Sequence, residues 1–243
     1  MSRSESSSGS SSGSSWVVVS SIPQRVGGSD RHRVARRLRQ TGAVTRPRLV
    51  LASSSPRRRD ILDRLELHYD VEPADLDERA HPGEEPRAYV ERLAREKAEA
   101  RSGPDTVAIG CDTAVVLDGE ILGKPRDPAH AAEMLTRMAD RTHEAITGVA
   151  VVRRTGTGPP GIHTGTSTTT VHFGPLPAER IAWYLDTGEP DDKAGAYGIQ
   201  GAAALFADHI EGSTTNVMGL PLPLLDRLCA DAGIDLLSFR SGS

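Results

Sequence analysis

From Arg48 onward the sequence alternates between strand-like and helix-like runs, and one of its strands turns straight back on itself. Val107 to Leu117 leads into Asp118-Gly119, a two-residue hairpin turn, and then into Glu120 to Leu122. Alternation of this kind implies an α/β class, and the hairpin argues against an all-parallel sheet. Further strands are expected at Arg48 to Ala52, weakly at Tyr69 to Glu72, and near Ala145 to Arg153, Gly165 to Phe173 and Ala204 to Ile210. Helices are expected after Ser55-Pro56 with Ile61, Leu62 and Leu65 inward, from about Pro86 to Ala100, and from Asp127-Pro128 to Met138. Two more are expected, from Pro177 to Asp186 and from Leu222 to Ala232.

The first 46 residues read differently. Ten of the first fifteen are Ser, Trp16 to Ile22 is a short apolar island, and the stretch from Arg31 is basic. Such composition predicts a disordered extension over residues 1–46 followed by one domain over 47–243. Residues 1–46 hold eight Arg against Glu5 and Asp30, leaving the body 21 basic and 31 acidic residues, a formal charge of −10. A body with that charge and only 4% aromatic residues is not expected to bind nucleic acid. No apolar run approaches the roughly 18 residues that span a bilayer, and the apolar island lacks a secretory cleavage signature, so no membrane partner is expected and the cytoplasm is the expected location. Cys111 and Cys229 form no CxxC or Cys/His cluster, which argues against structural zinc. No HExxH or P-loop motif is present, and no GxSxG elbow appears in the body from residue 47 onward, so zinc proteolysis, P-loop hydrolysis and α/β-hydrolase chemistry lose support.

Several segments carry candidate chemistry. In Ser53-Ser54-Ser55-Pro56-Arg57-Arg58 a strand runs directly into a helix start, aiming backbone N–H groups, hydroxyls and guanidiniums outward. That suits a phosphate; an ordinary helix cap with solvated arginines would use the same residues. Lys97 follows Val90, Leu93 and Ala94 on one helical stripe, so it points inward or snorkels from the stripe's edge. Asp112 shares its strand face with Gly110 and Ala114, whose small side chains leave room beside the carboxylate. It is either a metal ligand or general base, or a structural carboxylate paired with a cation. Lys124 follows the hairpin, Glu78 lies in a polar segment, and Asp192 to Gly201 sets four glycines around Tyr197 and Gln200, as a loop closing on a ligand would.

Six strings in order, LVLASSSPRRRDIL, DLDE, YVERLAREKA, IGCDTAVVLDGEILGKP, DKAGAYGIQG and NVMGLPL, resemble the Maf family of nucleoside triphosphate pyrophosphatases over about residues 48 to 235. The resemblance implies a mixed, twisted α/β sheet with flanking helices in two lobes around a deep cleft, similar to that of inosine triphosphate pyrophosphatases. It implies hydrolysis of a nucleoside triphosphate to the monophosphate and pyrophosphate, assisted by a divalent cation, Mg²⁺ or Mn²⁺, and a homodimer. By position, Asp112 is similar to the family's proton acceptor, while Ser55, Arg58, Lys97 and Lys124, with Ser53 beside them, match its phosphate-binding set. Glu78 matches a carboxylate near the metal, so the metal ligands implied are Glu78 and Asp112.

Arg57, Thr113 and Gln200 match the branch acting on dTTP and UTP, which implies those substrates and modified pyrimidine triphosphates in place of 7-methyl-GTP. In a regular strand Thr113 points away from Asp112, so the sequence predicts that β-structure ends or bulges there if both touch one nucleotide. The rival reading of the resemblance is a nucleotide-binding regulator of cell division or septum formation.

Overall fold

A computed structural model describes residues 46–240. Apart from Arg46, the extension expected over residues 1–46 lies outside the described residues.

One seven-stranded mixed sheet organises the chain, in the order β2 (Asp70–Val71), β1 (Arg48–Leu51), β3 (Thr106–Leu117), β5 (Thr142–Arg154), β6 (Gly161–Phe173) and β7 (Ala207–Glu211). The remaining strand, β4 (Glu120–Leu122), pairs with β3. β1 is parallel to β2 and to β3, and all other pairs are antiparallel. The hairpin turn forms as expected, with Asp118 and Gly119 both at positive φ.

The helices are α1 (Pro56–Asp63), α2 (Pro86–Ala100), α3 (Pro128–Met138), α4 (Ala178–Leu185), the single turn α5 (Thr214–Val217) and α6 (Leu222–Asp231). α1 is short because Leu65 lies beyond its end, although Leu65 still packs against the core. The strand expected from Ala204 begins later, because Ala202–Leu205 forms a 3₁₀ turn and pairing starts at Ala207. Neither α5 nor the 3₁₀ turn Leu236–Phe239 was foreseeable from hydrophobic periodicity, since four residues cannot display a helical stripe.

Two apolar clusters share the sheet face formed by the odd-numbered residues of β3. One gathers Leu51, Ile61, Leu62, Ile109, Cys111, Leu225 and Leu228 between β1, β3, α1 and α6. The other gathers Val115, Leu117, Leu135, Phe173, Tyr184 and Phe206 beneath α3 and α4. Thr113 lies between them in sequence along β3, and these clusters are the cores of two lobes. Burying one large aliphatic side chain contributes about 1.5–3 kcal/mol, so each cluster stabilises its own lobe and the long strands join them.

The opposite sheet face is covered by α2. A Cβ on Gly110 would lie 2.0 Å from the Ala94 carbonyl oxygen, and one on Gly148 would lie 2.2 Å from that of Val90. Only glycine lets a helix backbone approach so closely. Gly148 is the cross-strand partner of Asp112, so this contact brings the Lys97 face of α2 down onto the carboxylate.

Candidate active site

The cleft opens where β3 changes partners. β1 pairs with β3 as far as Ile109, and β4 joins the same edge only at Val115. Ala52 N–H donates to the Ile109 carbonyl at 2.8 Å, which fixes that edge as the one to which odd residues turn their backbone groups. Between the two partners the edge faces a cleft of about 700 Å³, lined by residues of both lobes.

This arrangement corrects the expectation at Thr113. The β3–β5 register runs without a break from Thr106 to Val116, so the strand neither ends nor bulges there. Asp112 and Thr113 do occupy opposite faces, yet both line the cleft because it lies at the sheet edge and reaches around both.

On one face, Lys97 Nζ donates to Asp112 Oδ1 at 2.7 Å and pairs with Glu78 Oε1 at 2.6 Å. The inward reading of Lys97 therefore holds: it is 6% exposed and Asp112 is 8% exposed. Burial pushes the Asp112 carboxyl above the usual carboxylate range, with Lys97 opposing that shift. Burial also disfavours ionised Glu78, but the hydrogen bond and charge of Lys97, with Lys124 and Arg58, outweigh it and hold Glu78 below its usual value. Tyr89 Oη donates to the Glu78 carbonyl at 3.0 Å, and Arg92 grips Glu84 with two bonds of 2.7 Å. α2 thus fastens the segment that carries Glu78. Periodicity marked the buried stripe of α2 but not these two residues on its flank.

On the other face, Arg58 is held at three points. Its Nε donates to the Gly219 carbonyl at 2.8 Å, Nη1 to Ser53 Oγ at 2.8 Å, and Nη2 to Thr113 Oγ1 at 3.3 Å. Thr113 Oγ1 in turn lies 3.0 Å from Thr147 Oγ1, and Thr147 donates to the Asn216 carbonyl. Asn216 is fully buried and donates to the Ala145 carbonyl and to Thr169 Oγ1. The NVMGLPL string therefore supports Arg58 through Asn216 and Gly219. Its spacing alone carried no signal of that role, because the contacts span more than 150 residues of sequence.

Ser55 stands at the N-cap of α1 without a side-chain cap bond, so its hydroxyl is not committed to the helix. Ser53, Ser55, Arg57, Arg58, Glu78, Lys97, Asp112, Thr113 and Lys124 all border the one cleft; Gln200 is exposed and does not. Arg57 is half-buried, and burial lowers its pKa while Asp192 opposes that shift. Lys193, which the sequence reading did not single out, also borders the cleft and donates to the Glu189 carbonyl and Asp192 Oδ1. Tyr197 of the same loop is buried, with its hydroxyl 2.9 Å from His143 Nε2. Cys111 is fully buried and its thiol is pushed up to about 11 by burial, which leaves no thiolate nucleophile.

A divalent cation fits this donor set. Glu78 and Asp112 turn oxygens toward one ammonium position, so both are within reach of a single cation. Among the described residues no cluster of three or more His, Cys, Asp or Glu could hold a metal by itself. One or two carboxylates completed by phosphate oxygens and water is the usual environment of Mg²⁺.

The chain is similar to several known proteins. A dTTP/UTP pyrophosphatase of Anaeromyxobacter sp. is 52% identical over 186 residues, covering 76% of this chain and 90% of that protein. Another from Chromobacterium violaceum is 49% identical over 196 residues, covering 78% and 96%. Among solved structures, a nucleoside-triphosphatase / dITP/XTP pyrophosphatase from Mycobacterium abscessus matches 54% of this chain and 76% of its own at 15% identity, with a TM-score of 0.34. The family described as Maf-like protein matches residues 48–232, and the chain belongs to that family.

Proposed function

We propose that this protein hydrolyses nucleoside triphosphates to the monophosphate and pyrophosphate, with dTTP and UTP as preferred substrates. The observation that carries the reading is the pairing of a buried carboxylate with a cationic cleft: Asp112 and Glu78 stand on one side, and Arg58, Arg57, Ser55 and Lys124 border the same space. The names of the relatives support the choice of pyrimidine nucleotides.

The chemistry follows from charge. A triphosphate carries about four negative charges, and water reaches phosphorus only when positive groups neutralise its oxygens. Arg58, fixed at three points, offers a preorganised donor that needs no rearrangement at the moment of reaction. Asp112 takes the proton of the attacking water, and its burial in the cleft beside Lys97 fixes its position for that step. Glu78 and Asp112 would hold a divalent cation, Mg²⁺ or Mn²⁺, which when bound would neutralise charge on the phosphate oxygens.

Thr113 and Arg57 border the cleft and are the base-discriminating candidates on this reading. The substrate is free nucleotide in the cytoplasm, not nucleic acid, and the active form is a homodimer. Among the described residues no helix is long and apolar enough to cross a membrane.

The test is pyrophosphate release by purified protein with Mg²⁺ across a panel of nucleotides. Faster turnover of dTTP and UTP than of 7-methyl-GTP and the purine triphosphates is expected. Faster 7-methyl-GTP turnover would reverse the substrate assignment, and no turnover of any triphosphate would remove the enzymatic reading.

A further inference from the structure

Lys97 is an unusual neighbour for a metal site. Its ammonium lies 2.7 Å from Asp112 Oδ1 and 2.6 Å from Glu78 Oε1, a bridging position that a divalent cation held by the same two carboxylates would contest. The side chain has little freedom to leave, because Lys97 lies on the buried stripe of α2 and α2 is pressed against the sheet at Gly110 and Gly148. The two arms of the bridge are unequal. The Asp112 side chain is 11% exposed and that of Glu78 is 50% exposed, so water screens the Glu78 arm far more.

We propose that Lys97 is a tethered competitor of the divalent cation. Its ammonium keeps the ion out of the Glu78–Asp112 pair until the phosphates of a nucleotide offer the ammonium another anionic partner. Cation and polyphosphate then bind synergistically, and the cation enters with the nucleotide and is not a resident of the protein. This rests on the proposed function for the identity of the phosphate donor. The competition itself is a property of the three side chains.

The ammonium exchanges its hydrogen bond to the more exposed carboxylate for one to a phosphate oxygen, and the entering cation would exchange water ligands for the freed carboxylate oxygen; no covalent bond is made or broken. Charge accounts for the direction. With its two carboxylates and one ammonium the cluster has net charge −1, which attracts a divalent ion weakly; removal of the ammonium leaves −2 in a partly buried site.

The experiment is a Mn²⁺ titration, followed by the loss of the free-ion electron paramagnetic resonance signal, on the full chain without nucleotide. Lys97→Met removes the charge from an unbranched side chain only one atom shorter, and Lys97→Gln does the same while keeping a donor. Both variants are expected to bind Mn²⁺ at least about tenfold more tightly than the unmutated protein, and adding Asp112→Asn should abolish the gain. In the unmutated protein, imidodiphosphate should tighten Mn²⁺ binding by a larger factor than it does in Lys97→Met.

Equal or weaker Mn²⁺ binding by the Met and Gln variants would overturn the proposal. Should neither variant fold, the unmutated protein decides: Mn²⁺ binding without nucleotide tighter than about 0.1 mM overturns it, and weaker binding supports it. These titrations use no substrate, so an inactive protein would refute the proposed function while leaving the competition readable.

Discussion

His143 illustrates how much a single buried side chain sets the behaviour of this protein. It is 2% exposed and stacks edge-on against Phe173 and Tyr197, with its Nε2 bonded to Tyr197 Oη. Burial, with the nearby His172, pushes its pKa down to about 4 from 6.5. The folded state therefore holds neutral imidazole, whereas the unfolded chain binds a proton below about pH 6.5. Stability from this group is fully present above pH 6.5 and is lost as pH falls toward 4, by up to about 3 kcal/mol. Urea midpoints measured between pH 7 and 4.5 should drop for the unmutated protein and drop less for His143→Gln. Parallel slopes would contradict this. At the same scale, Lys97 was legible because the spacing from Val90, Leu93 and Ala94 puts it on the apolar stripe. Its partners were not legible: the ammonium bonds two carboxylates from other segments, and periodicity within one helix says nothing about what the helix lies upon.

Among elements, α2 and β3 carry the site between them. Gly110 and Gly148 set their separation, and the Cβ positions at both fall on helix backbone, which cannot rotate away. Gly148→Ala is expected to destabilise the protein by more than about 2 kcal/mol and to lower activity by displacing Lys97 from Asp112. Urea unfolding with a parallel activity assay measures both, and unchanged stability would show that α2 has room to shift. The free edge of β3 makes a second expectation. Thr113 turns its N–H toward the cleft between the end of β1 and the start of β4, so that amide should exchange with deuterium faster than those of Ile109 and Val115. A bound nucleotide analogue should slow it. The strands and the hairpin of this region were readable from alternation and from Asp118-Gly119. The change of partner along one edge was not, because it depends on which strands lie side by side, and with it the sequence reading demanded a bulge that the register does without.

At the scale of the whole molecule, residues of α1, the Glu78 segment, α2, β3 and the post-hairpin loop converge on one cleft between two separately packed cores. The body carries a formal charge of −10, so the cations of this cleft stand against an acidic background, and a polyanion gains most where they cluster. Order along the chain made the convergence of Ser55, Arg58, Lys97, Asp112 and Lys124 legible only through the six strings that resemble one family. No spacing rule brings residues from 55 to 124 together. The contacts by which Asn216 and Thr147 stand behind Arg58, and Tyr89 behind Glu78, join separate segments, and no local pattern in any one segment announces them.

The role proposed for Asp112 is to take the proton from the attacking water. It is tested most directly by measuring dTTP affinity and pyrophosphate release side by side for the unmutated protein and Asp112→Asn. The predicted result is one pyrophosphate for each dTMP from the unmutated protein, with the Asn variant folded, binding dTTP, and slower by at least about a hundredfold. Release by Asp112→Asn at the unmutated rate, or dTDP and phosphate as the products, would contradict it.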